Sequence, residues 1–340
     1  MGLRLAIAGA TGLVGQEMLA IIERERPELD SLGLFASQAS AGHHFTLLEQ
    51  EYTVAELADC DFSKYDAAFF CIGDELSRHY VPRAQEAGCR IVDKSNAFRL
   101  ADNVPLVVPE VNGSVITARH KLIANPNCTT IVLTQALGPL NREFGLRRVF
   151  AATYQSVSGA GRDSAAELID TTRALNLTAD GWRGRELDPT QMAFNVIARI
   201  GRFDELGRAG EEGKLIAESK KILDAPDLPV VAHAVRVPVL AGHAIAVTVE
   251  LNSDVEPADI EQAWNQAPAV SYAADVLPTP VGSCRHEQVE VGRLRREPEL
   301  QHTWSFFSCG DNLRIAAALN GWRILALMAQ RGIIPSLSQA

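Results

Sequence analysis

The chain has 340 residues, 47% of them hydrophobic, and a formal net charge of -10 at pH 7. This length exceeds the size at which one hydrophobic core usually stops growing, so we expect two domains. The mild acidity, and the lack of a long run of lysine or arginine, argue against nucleic acid and anionic membranes as partners. Because no apolar run of about 18 residues is present and the apolar N-terminus is too short for a signal peptide, we expect a cytoplasmic protein without a membrane partner.

The first predicted element is a buried strand at residues 3–8, followed by a glycine turn and an amphipathic helix. The turn reads Gly9-Ala10-Thr11-Gly12-Leu13-Val14-Gly15. Glycines let the backbone approach the pyrophosphate of a dinucleotide, and the helix N-terminus supplies amide donors. A G-x-x-G-x-x-G turn is a weak signal alone, but its position directly after an N-terminal buried strand predicts a dinucleotide cofactor.

The second predicted strand, residues 31–35, bears on which dinucleotide binds. No Asp or Glu follows at its tip to hold a ribose 2′-hydroxyl, which favours NADP over NAD. The hydroxyls of Ser37 and Ser40 are able to contact a 2′-phosphate. No arginine stands beside them to neutralise it, so NAD stays open as the alternative.

Strand and helix patterns then alternate along the chain. A buried strand enters a glycine turn at Gly73, a helical segment spans 77–87, and another strand spans 90–93. This alternation predicts a doubly wound, parallel sheet of the Rossmann type. Arg99 lies just past the end of the last strand, where open α/β sheets bind ligands, so it is a candidate anion-binding group.

A turn that reads Asn125-Pro126-Asn127-Cys128 precedes the next apolar helix. Pro126 disfavours helical backbone at Asn125, and Asn127 is a good N-cap, so the helix is predicted to begin beside Cys128. A helix N-terminus favours a thiolate over a thiol, which makes Cys128 a candidate nucleophile. The six cysteines include no C-x-x-C pair, so we expect neither a disulfide framework nor a zinc site.

The second domain is predicted to be of the α+β class. A strand at 148–155 leads to a small-residue turn at 156–161, residues 176–210 form long connections, and a helix at 211–223 carries Glu211 and Lys214 one turn apart. Two long strands, 230–237 and 243–251, carry Arg236 and His243. They predict a large mixed, mainly antiparallel sheet whose open face suits a partner subunit. Shorter elements follow: a helix at 256–265, strands at 289–293 and 304–307, and a long helix at 312–330.

Seven ordered blocks of residues resemble the aspartate-semialdehyde dehydrogenase family over nearly the whole chain. They are the Gly9 to Gly15 turn, Ser95-x-Ala97-Phe98-Arg99, Val108-Pro109-Glu110-Val111-Asn112, Asn125-Pro126-Asn127-Cys128, Tyr154-Gln155-x-Val157-Ser158-Gly159-Ala160-Gly161, Glu211-Glu212-x-Lys214, and Arg236-Val237-Pro238-Val239 with Gly242-His243. Their order and spacing are far more specific than any single motif.

The resemblance implies a role for each block. Cys128 would be the nucleophile, Gln155 would orient the substrate, His243 would be the acid/base, and Asn127 would help to stabilise the oxyanion. Arg236 would bind the substrate carboxylate, Glu211 its ammonium group, and Arg99 with Lys214 the phosphate. The predicted cofactor-binding residues are Gly9, Thr11, Gly12, Leu13, Val14, Ser37, Ser40, Gly73, Ser158, Gly159 and Asn312.

The implied reaction is the reversible, NADP-dependent conversion of aspartyl phosphate to aspartate semialdehyde and inorganic phosphate through a cysteine thioester. In cells it would run toward the aldehyde, which supplies the biosynthesis of lysine, threonine and methionine. We expect a homodimer that takes a small-molecule substrate and inorganic phosphate. Its dinucleotide-binding domain would comprise residues 1–127 and 312–340, and its catalytic and dimerisation domain residues 128–311.

Three departures from the family pattern lie on the cofactor side. Ala39 replaces the arginine that usually follows the second strand, Asp74 follows Gly73 in place of a glycine, and the C-terminal helix lacks its usual Gly-Ala start. They resemble a paralogous, dehydrogenase-like branch of the family, so one alternative is a paralogue with weak or no dehydrogenase activity that acts as a dimeric binding protein. Another alternative keeps the thioester chemistry on a different acyl phosphate, such as N-acetyl-glutamyl phosphate, although Glu211 suits a free ammonium group.

Overall fold

The computed structural model describes residues 2–176 and 186–337, so part of the predicted connection at 176–210 lies outside the described residues. The chain divides into two compact units. The first comprises Met1–Gln135, Glu218–Pro226 and Leu313–Ala340, and the second Ala136–Ala217 and Asp227–Asn312. The predicted domain bounds differ from these units in three places: residues 128–135 and 218–226 were predicted in the second domain, and Asn312 in the first. Residues 218–226 group with the first unit, where Glu218 and Lys221 form hydrogen bonds with its loops.

The first unit contains a parallel sheet in the order β5-β2-β1-β6-β7-β8 and a small antiparallel ribbon of β3 and β4. Its strands are β1 (Leu3–Ala8), β2 (Leu29–Ala36), β3 (His44–Leu47), β4 (Gln50–Thr53), β5 (Ala55–Glu56), β6 (Ala67–Phe70), β7 (Arg90–Asp93) and β8 (Leu122–Ala124). Every pairing within the six-stranded sheet is parallel, as the alternating pattern predicts. The Rossmann-type prediction is confirmed.

The second unit contains a mixed sheet in the order β10-β9-β11-β14-β13-β12. Its strands are β9 (Leu146–Gln155), β10 (Val230–Arg236), β11 (His243–Leu251), β12 (Val270–Tyr272), β13 (Val289–Arg296) and β14 (Thr303–Gly310). Strand β9 lies between β10 and β11, parallel to the former and antiparallel to the latter. This arrangement brings the ends of β9 and β10 and the start of β11 to one edge of the sheet.

The longer helices of the described chain mostly agree with the predicted positions. The helices are α1 (Leu13–Glu25), α2 (Asp74–Glu86), α3 (Pro109–Asn112), α4 (Cys128–Phe144), α5 (Arg162–Leu175), α6 (Gly210–Ile222), α7 (Pro257–Asn265), α8 (Pro280–Ser283) and α9 (Asn320–Gln330). The sequence analysis did not predict α5 or the two short helices α3 and α8. It also predicted one continuous helix at 312–330, whereas Arg314–Leu319 forms a π-helical segment before α9 begins.

A large apolar cluster forms part of the core of the first unit. Leu5 and Ile7 of β1 are completely buried and pack with Met18 and Ile22 of α1 and with Met328 of α9. Burying each side chain of this size contributes about 1.5–3 kcal/mol to stability.

Within residues 2–176 and 186–337, no helix is both long enough and apolar enough to cross a bilayer.

Candidate active site

A turn in the first unit places Cys128 at the first position of α4. The side-chain oxygen of Asn127 accepts hydrogen bonds from the backbone amides of Thr129 (2.9 Å) and Thr130 (3.3 Å), so Asn127 caps the helix as predicted. Asn127 is buried and Cys128 is half-buried. A thiol at this position lies beside the positive end of the helix dipole, which favours the thiolate form.

The other cysteines are poorer candidates for a nucleophile. Burial raises the pKa of the thiol to about 12 in Cys60, Cys71, Cys89 and Cys309, and it also raises the pKa of Cys284. A thiol with a raised pKa stays protonated at neutral pH and reacts slowly.

A buried ion pair supports the cysteine turn. Arg99 donates from Nη1 to Oε1 of Glu218 at 3.0 Å, and the two side chains are only 6% and 1% exposed. The other carboxylate oxygen of Glu218 accepts the backbone amide of Asn127 at 2.7 Å. Arg99 also donates to the carbonyl oxygens of Asn125 (3.0 Å) and Lys94 (2.6 Å). Three of the five guanidinium N–H groups are thus held by the protein, and the guanidinium is fixed close to the turn.

Lys221 fixes the loop that follows Arg99. Its ammonium donates to the carbonyl oxygens of Arg99, Ala101 and Val104 at 2.8–2.9 Å. Burial lowers the pKa of this amine. The sequence analysis missed both Glu218 and Lys221. The available signal was the recurrence of charged residues at intervals of three, four and three residues, starting from Glu211, which places them on one face of a helix.

In the second unit, the imidazole of His243 is completely buried at the start of β11. Its Nδ1 accepts a hydrogen bond from the backbone amide of Ser156 at 3.1 Å. The neutral ring therefore carries its hydrogen on Nε2. Burial, followed by the positive charge of Arg236, lowers the pKa of His243 to about 4. The ring is neutral at physiological pH.

Asn312 joins the segments on either side of this histidine. Its Oδ1 accepts hydrogen bonds from the amide of Gly242 (2.9 Å) and the hydroxyl of Ser156 (3.0 Å), and its Nδ2 donates to the hydroxyl of Ser158 (3.0 Å). Asn312 and Ser158, which the sequence analysis assigned to the cofactor, thus hold the histidine loop in place. Their contact with a cofactor stays a prediction.

The small-residue turn at 156–161 was predicted to permit a close approach, and two side chains approach it. A Cβ on Gly159 would lie 3.1 Å from Nη1 of Arg236 and 3.3 Å from Nε2 of His243. Arg236 also donates from Nη1 to the carbonyl oxygen of Ser156 at 2.6 Å. The strand register supports this convergence, because Arg236 is paired with Gln155 across β10 and β9.

Gln155 and Glu211 form the adjoining part of the same cluster. Gln155 donates from Nε2 to Oε1 of Glu211 at 3.1 Å, and its own Oε1 accepts the hydroxyl of Thr153 at 3.0 Å. Lys214 forms an ion pair with the other oxygen of Glu211 at 3.3 Å. The side chain of Glu211 is 9% exposed and that of Lys214 is 37% exposed. The second unit therefore brings together Gln155, Glu211, Lys214, Arg236 and His243, all of which the sequence analysis had singled out.

A cavity of about 440 Å³ lies along the glycine turn of the first unit, and Gly9, Thr11, Gly12, Ser37 and Gly73 all line it. No side chain caps the N-terminus of α1 or of α2, so their first-turn amides are suited to a pyrophosphate. These features fit a dinucleotide.

Close packing explains two of the glycines. Gly9 has φ +93°, and a Cβ there would lie 2.6 Å from the carbonyl oxygen of Cys71. A Cβ on Gly15 would lie 2.2 Å from the carbonyl oxygen of Gly9, so only glycine lets α1 pack on the turn. Ser40 is not among the described residues that line the cavity. Asp74 accepts the backbone amide of Asn96 at 2.8 Å and is not among the described residues that line the cavity.

Comparison with known proteins identifies one family over nearly the whole chain. Residues 4–119 match the family described as "Semialdehyde dehydrogenase, NAD binding domain", and residues 137–315 match "Semialdehyde dehydrogenase, dimerisation domain". The aspartate-semialdehyde dehydrogenase of Bacillus subtilis is 36% identical over 349 residues, which cover 98% of this chain and 99% of that protein. This chain belongs to the aspartate-semialdehyde dehydrogenase family.

Solved structures of the aspartate-semialdehyde dehydrogenase family agree with this assignment. Aspartate semialdehyde dehydrogenase II from Vibrio cholerae has a TM-score of 0.92 and 34% identity, and the match covers 97% of this chain and 99% of that one. The same enzyme complexed with ASA has a TM-score of 0.91. The chain is therefore an oxidoreductase of this family with an NAD(P)-binding domain and a dimerisation domain.

Proposed function

We propose that this protein catalyses the reversible oxidation of aspartate semialdehyde by NADP or NAD, with inorganic phosphate, to aspartyl phosphate. The observation that carries the proposal is the half-buried Cys128 at the capped N-terminus of α4. Relatives named aspartate-semialdehyde dehydrogenase, one of them solved in complex with ASA, support the choice of substrate. In cells we expect the direction toward the aldehyde, which feeds the biosynthesis of lysine, threonine and methionine.

The Cys128 thiolate would add to the aldehyde carbon and form a thiohemiacetal. When bound, the nicotinamide of NADP or NAD supplies the hydride acceptor that converts this adduct to a thioester. An oxygen of inorganic phosphate then attacks the thioester carbon, the carbon–sulfur bond breaks, and the thiolate is regenerated. The Cys128 backbone amide and the Asn127 side chain would stabilise the tetrahedral oxyanions, and one such donor typically lowers the barrier by about 3 kcal/mol.

His243 would transfer the protons in these steps. The amide of Ser156 occupies Nδ1, so Nε2 holds the hydrogen that the neutral ring can donate. The low pKa keeps the ring uncharged next to Arg236 before the substrate binds. To accept the thiohemiacetal proton at Nε2, the ring would first take the other tautomer, with its hydrogen on Nδ1 facing the Ser156 hydroxyl 3.2 Å away. In the reverse direction the hydrogen on Nε2 would return to the substrate oxygen.

Four charged residues would recognise the substrate. We assign its carboxylate to Arg236, because a guanidinium binds a carboxylate in a bidentate fork, and its ammonium group to Glu211. The two N–H groups of Arg99 that are not bonded to Glu218, Asn125 or Lys94 would bind phosphate together with Lys214. A buried carboxylate at Glu211 disfavours an acetylated amine, so N-acetyl-glutamyl phosphate is the weaker candidate.

We also propose a homodimer that forms through the mixed sheet. The chain carries the dimerisation domain of its family. Phe150 and Tyr154 of β9 and Val231 of β10 are 42%, 39% and 45% exposed on this sheet. Apolar side chains at this density suit burial against a second copy.

The test is a phosphate-dependent assay in which reduction of NADP or NAD is followed by absorbance with aspartate semialdehyde as substrate. Wild type should turn over, and Cys128→Ala should lose at least a thousandfold. Cys284→Ala is the matched control, because Cys284 is also half-buried but has a raised thiol pKa. Without phosphate, mass spectrometry should detect an acyl adduct on Cys128. Equal rates in wild type and Cys128→Ala, or no turnover in either, would reject the proposal.

A further inference from the structure

The cofactor cavity contains an acidic residue that does not follow the second strand in sequence. Glu56 is the last residue of β5, which pairs in parallel with β2 so that Glu56 lies opposite Ala36. Its side chain is half-buried and lines the cavity together with Ala36, Ser37 and Gln38. The sequence analysis found no acid after β2, and the sheet pairing supplies one from the neighbouring strand.

The position of Glu56 matters because of where it lies on the sheet. In Rossmann-type domains, the carboxyl end of the second strand is where the adenosine ribose binds, and an acidic side chain there accepts a hydrogen bond from the ribose 2′-hydroxyl. A hydroxyl can donate to a carboxylate, whereas a 2′-phosphate cannot and carries negative charge itself. Glu56 therefore discriminates between the two dinucleotides in a defined direction.

The charge of the cavity points the same way. None of the described residues that line it is a lysine, an arginine or a histidine. No hydrogen bond or ion pair within residues 2–176 and 186–337 neutralises the Glu56 carboxylate. A 2′-phosphate would thus meet an uncompensated negative charge, because the loop after β2 carries no cation from Ser37 to Gly42.

We propose that Glu56 makes this enzyme bind NAD in preference to NADP, by accepting a hydrogen bond from the adenosine 2′-hydroxyl and repelling a 2′-phosphate. The inference rests on the proposed function in that it takes the glycine-turn cavity as the dinucleotide site. It goes beyond that function by choosing the dinucleotide and naming the residue that selects it.

The experiment is a calorimetric titration of the purified protein with NAD and with NADP, in the absence of aspartate semialdehyde. Wild type should bind NAD at least tenfold more tightly. Glu56→Gln keeps the size of the side chain and removes its charge, so the affinity for NADP should rise about tenfold and the preference should narrow. Glu51→Gln is the control, because Glu51 is an exposed carboxylate of β4 that does not line the cavity, and it should leave the ratio unchanged. Adding Ala39→Arg to Glu56→Gln should reverse the preference.

Each result decides the inference. Wild type that binds NADP as tightly as NAD, or binds neither, overturns it, and so does a ratio that Glu56→Gln leaves unchanged. If Glu56→Gln does not fold, judged by circular dichroism, the wild-type ratio alone still decides. Binding is measured without the aldehyde, so a protein that prefers NAD but does not turn over would sink the proposed function and leave this inference standing. Turnover that is faster with NADP, together with tighter NADP binding, would support the proposed function and reject the inference about Glu56.

Discussion

The buried imidazole of His243 makes the stability of the second unit depend on pH. In the folded protein its pKa is lowered from 6.5 to about 4, first by burial and then by Arg236. In the unfolded chain the ring is solvated and titrates near 6.5. Between these values the unfolded state binds a proton that the folded state does not, so acid favours unfolding.

The sign and the size of the pH-dependent change in stability follow from this difference in pKa. A tenfold change in proton affinity corresponds to about 1.4 kcal/mol, so a pKa lowered from 6.5 to about 4 is worth about 3 kcal/mol. Stability contributed by the neutral ring is fully present above pH 6.5. It is lost as the pH falls toward 4, and below pH 4 no further loss occurs because both states are protonated.

The assay is urea denaturation at intervals from pH 8 to pH 3.5, followed by tryptophan fluorescence. Trp264 and Trp304 are both buried in the second unit and report its unfolding. His243→Asn is the matched variant, since its side-chain oxygen can accept the Ser156 amide in place of Nδ1. Other titrating groups cancel in the difference between the two proteins. That difference should be constant above pH 7 and should shrink by about 3 kcal/mol between pH 6.5 and 4. A difference that is flat, or that grows in acid, would refute the assignment of a buried neutral ring.

Three further predictions concern the first unit. A thiol reagent at pH 8 should label Cys128 first, because burial raises the pKa of the other cysteines, and Cys128→Ala should remove the fast phase; a fast phase that persists would contradict this. Glu218→Gln leaves the Arg99 charge buried without its partner and should lower the free energy of unfolding by about 3 kcal/mol in urea titrations, and a loss below about 1 kcal/mol would count against the pair. Gly15→Ala places a Cβ 2.2 Å from the Gly9 carbonyl oxygen, so it should lower the free energy of unfolding by about 2 kcal/mol and weaken dinucleotide binding. An unchanged melting temperature and unchanged binding would show that the turn relaxes.

Local patterns sufficed to predict most of the architecture. The first sheet was predictable because a parallel sheet buried on both faces requires nearly continuous apolar strands, and β1 and β6 show them. Chain segments that pass from one unit to the other could not be predicted in this way. The cluster of charged residues on α6 reads as a solvated helix face, since sequence periodicity reports which residues share a face but not what that face contacts. For the same reason, the sequence analysis did not group residues 218–226 with the first unit.

Part of the local geometry of the candidate site was predictable from the sequence: α4 begins at Cys128, and the Asn127 side chain caps it. Contacts between strands that are distant in sequence could not be predicted from the sequence. The absence of an acid after β2 favoured NADP, but the sheet places Glu56 at that edge from a different strand. A rule that looks for an acid in one loop therefore overlooks an acid supplied by a neighbouring parallel strand that ends at the same level.

The buried charges around the cysteine turn are better explained by position than by stability. Desolvating an arginine and a glutamate costs about as much as their attraction returns, so apolar residues of similar size would stabilise a core at least as well. An apolar pair would, however, lose two specific contacts: the acceptor for the Asn127 amide and the donor to the Asn125 carbonyl. Both contacts fix backbone groups immediately before Cys128. The ion pair of Arg99 and Glu218 thus holds the start of α4 in the conformation that presents the thiol. The need to hold this conformation accounts for two charged side chains in a buried environment.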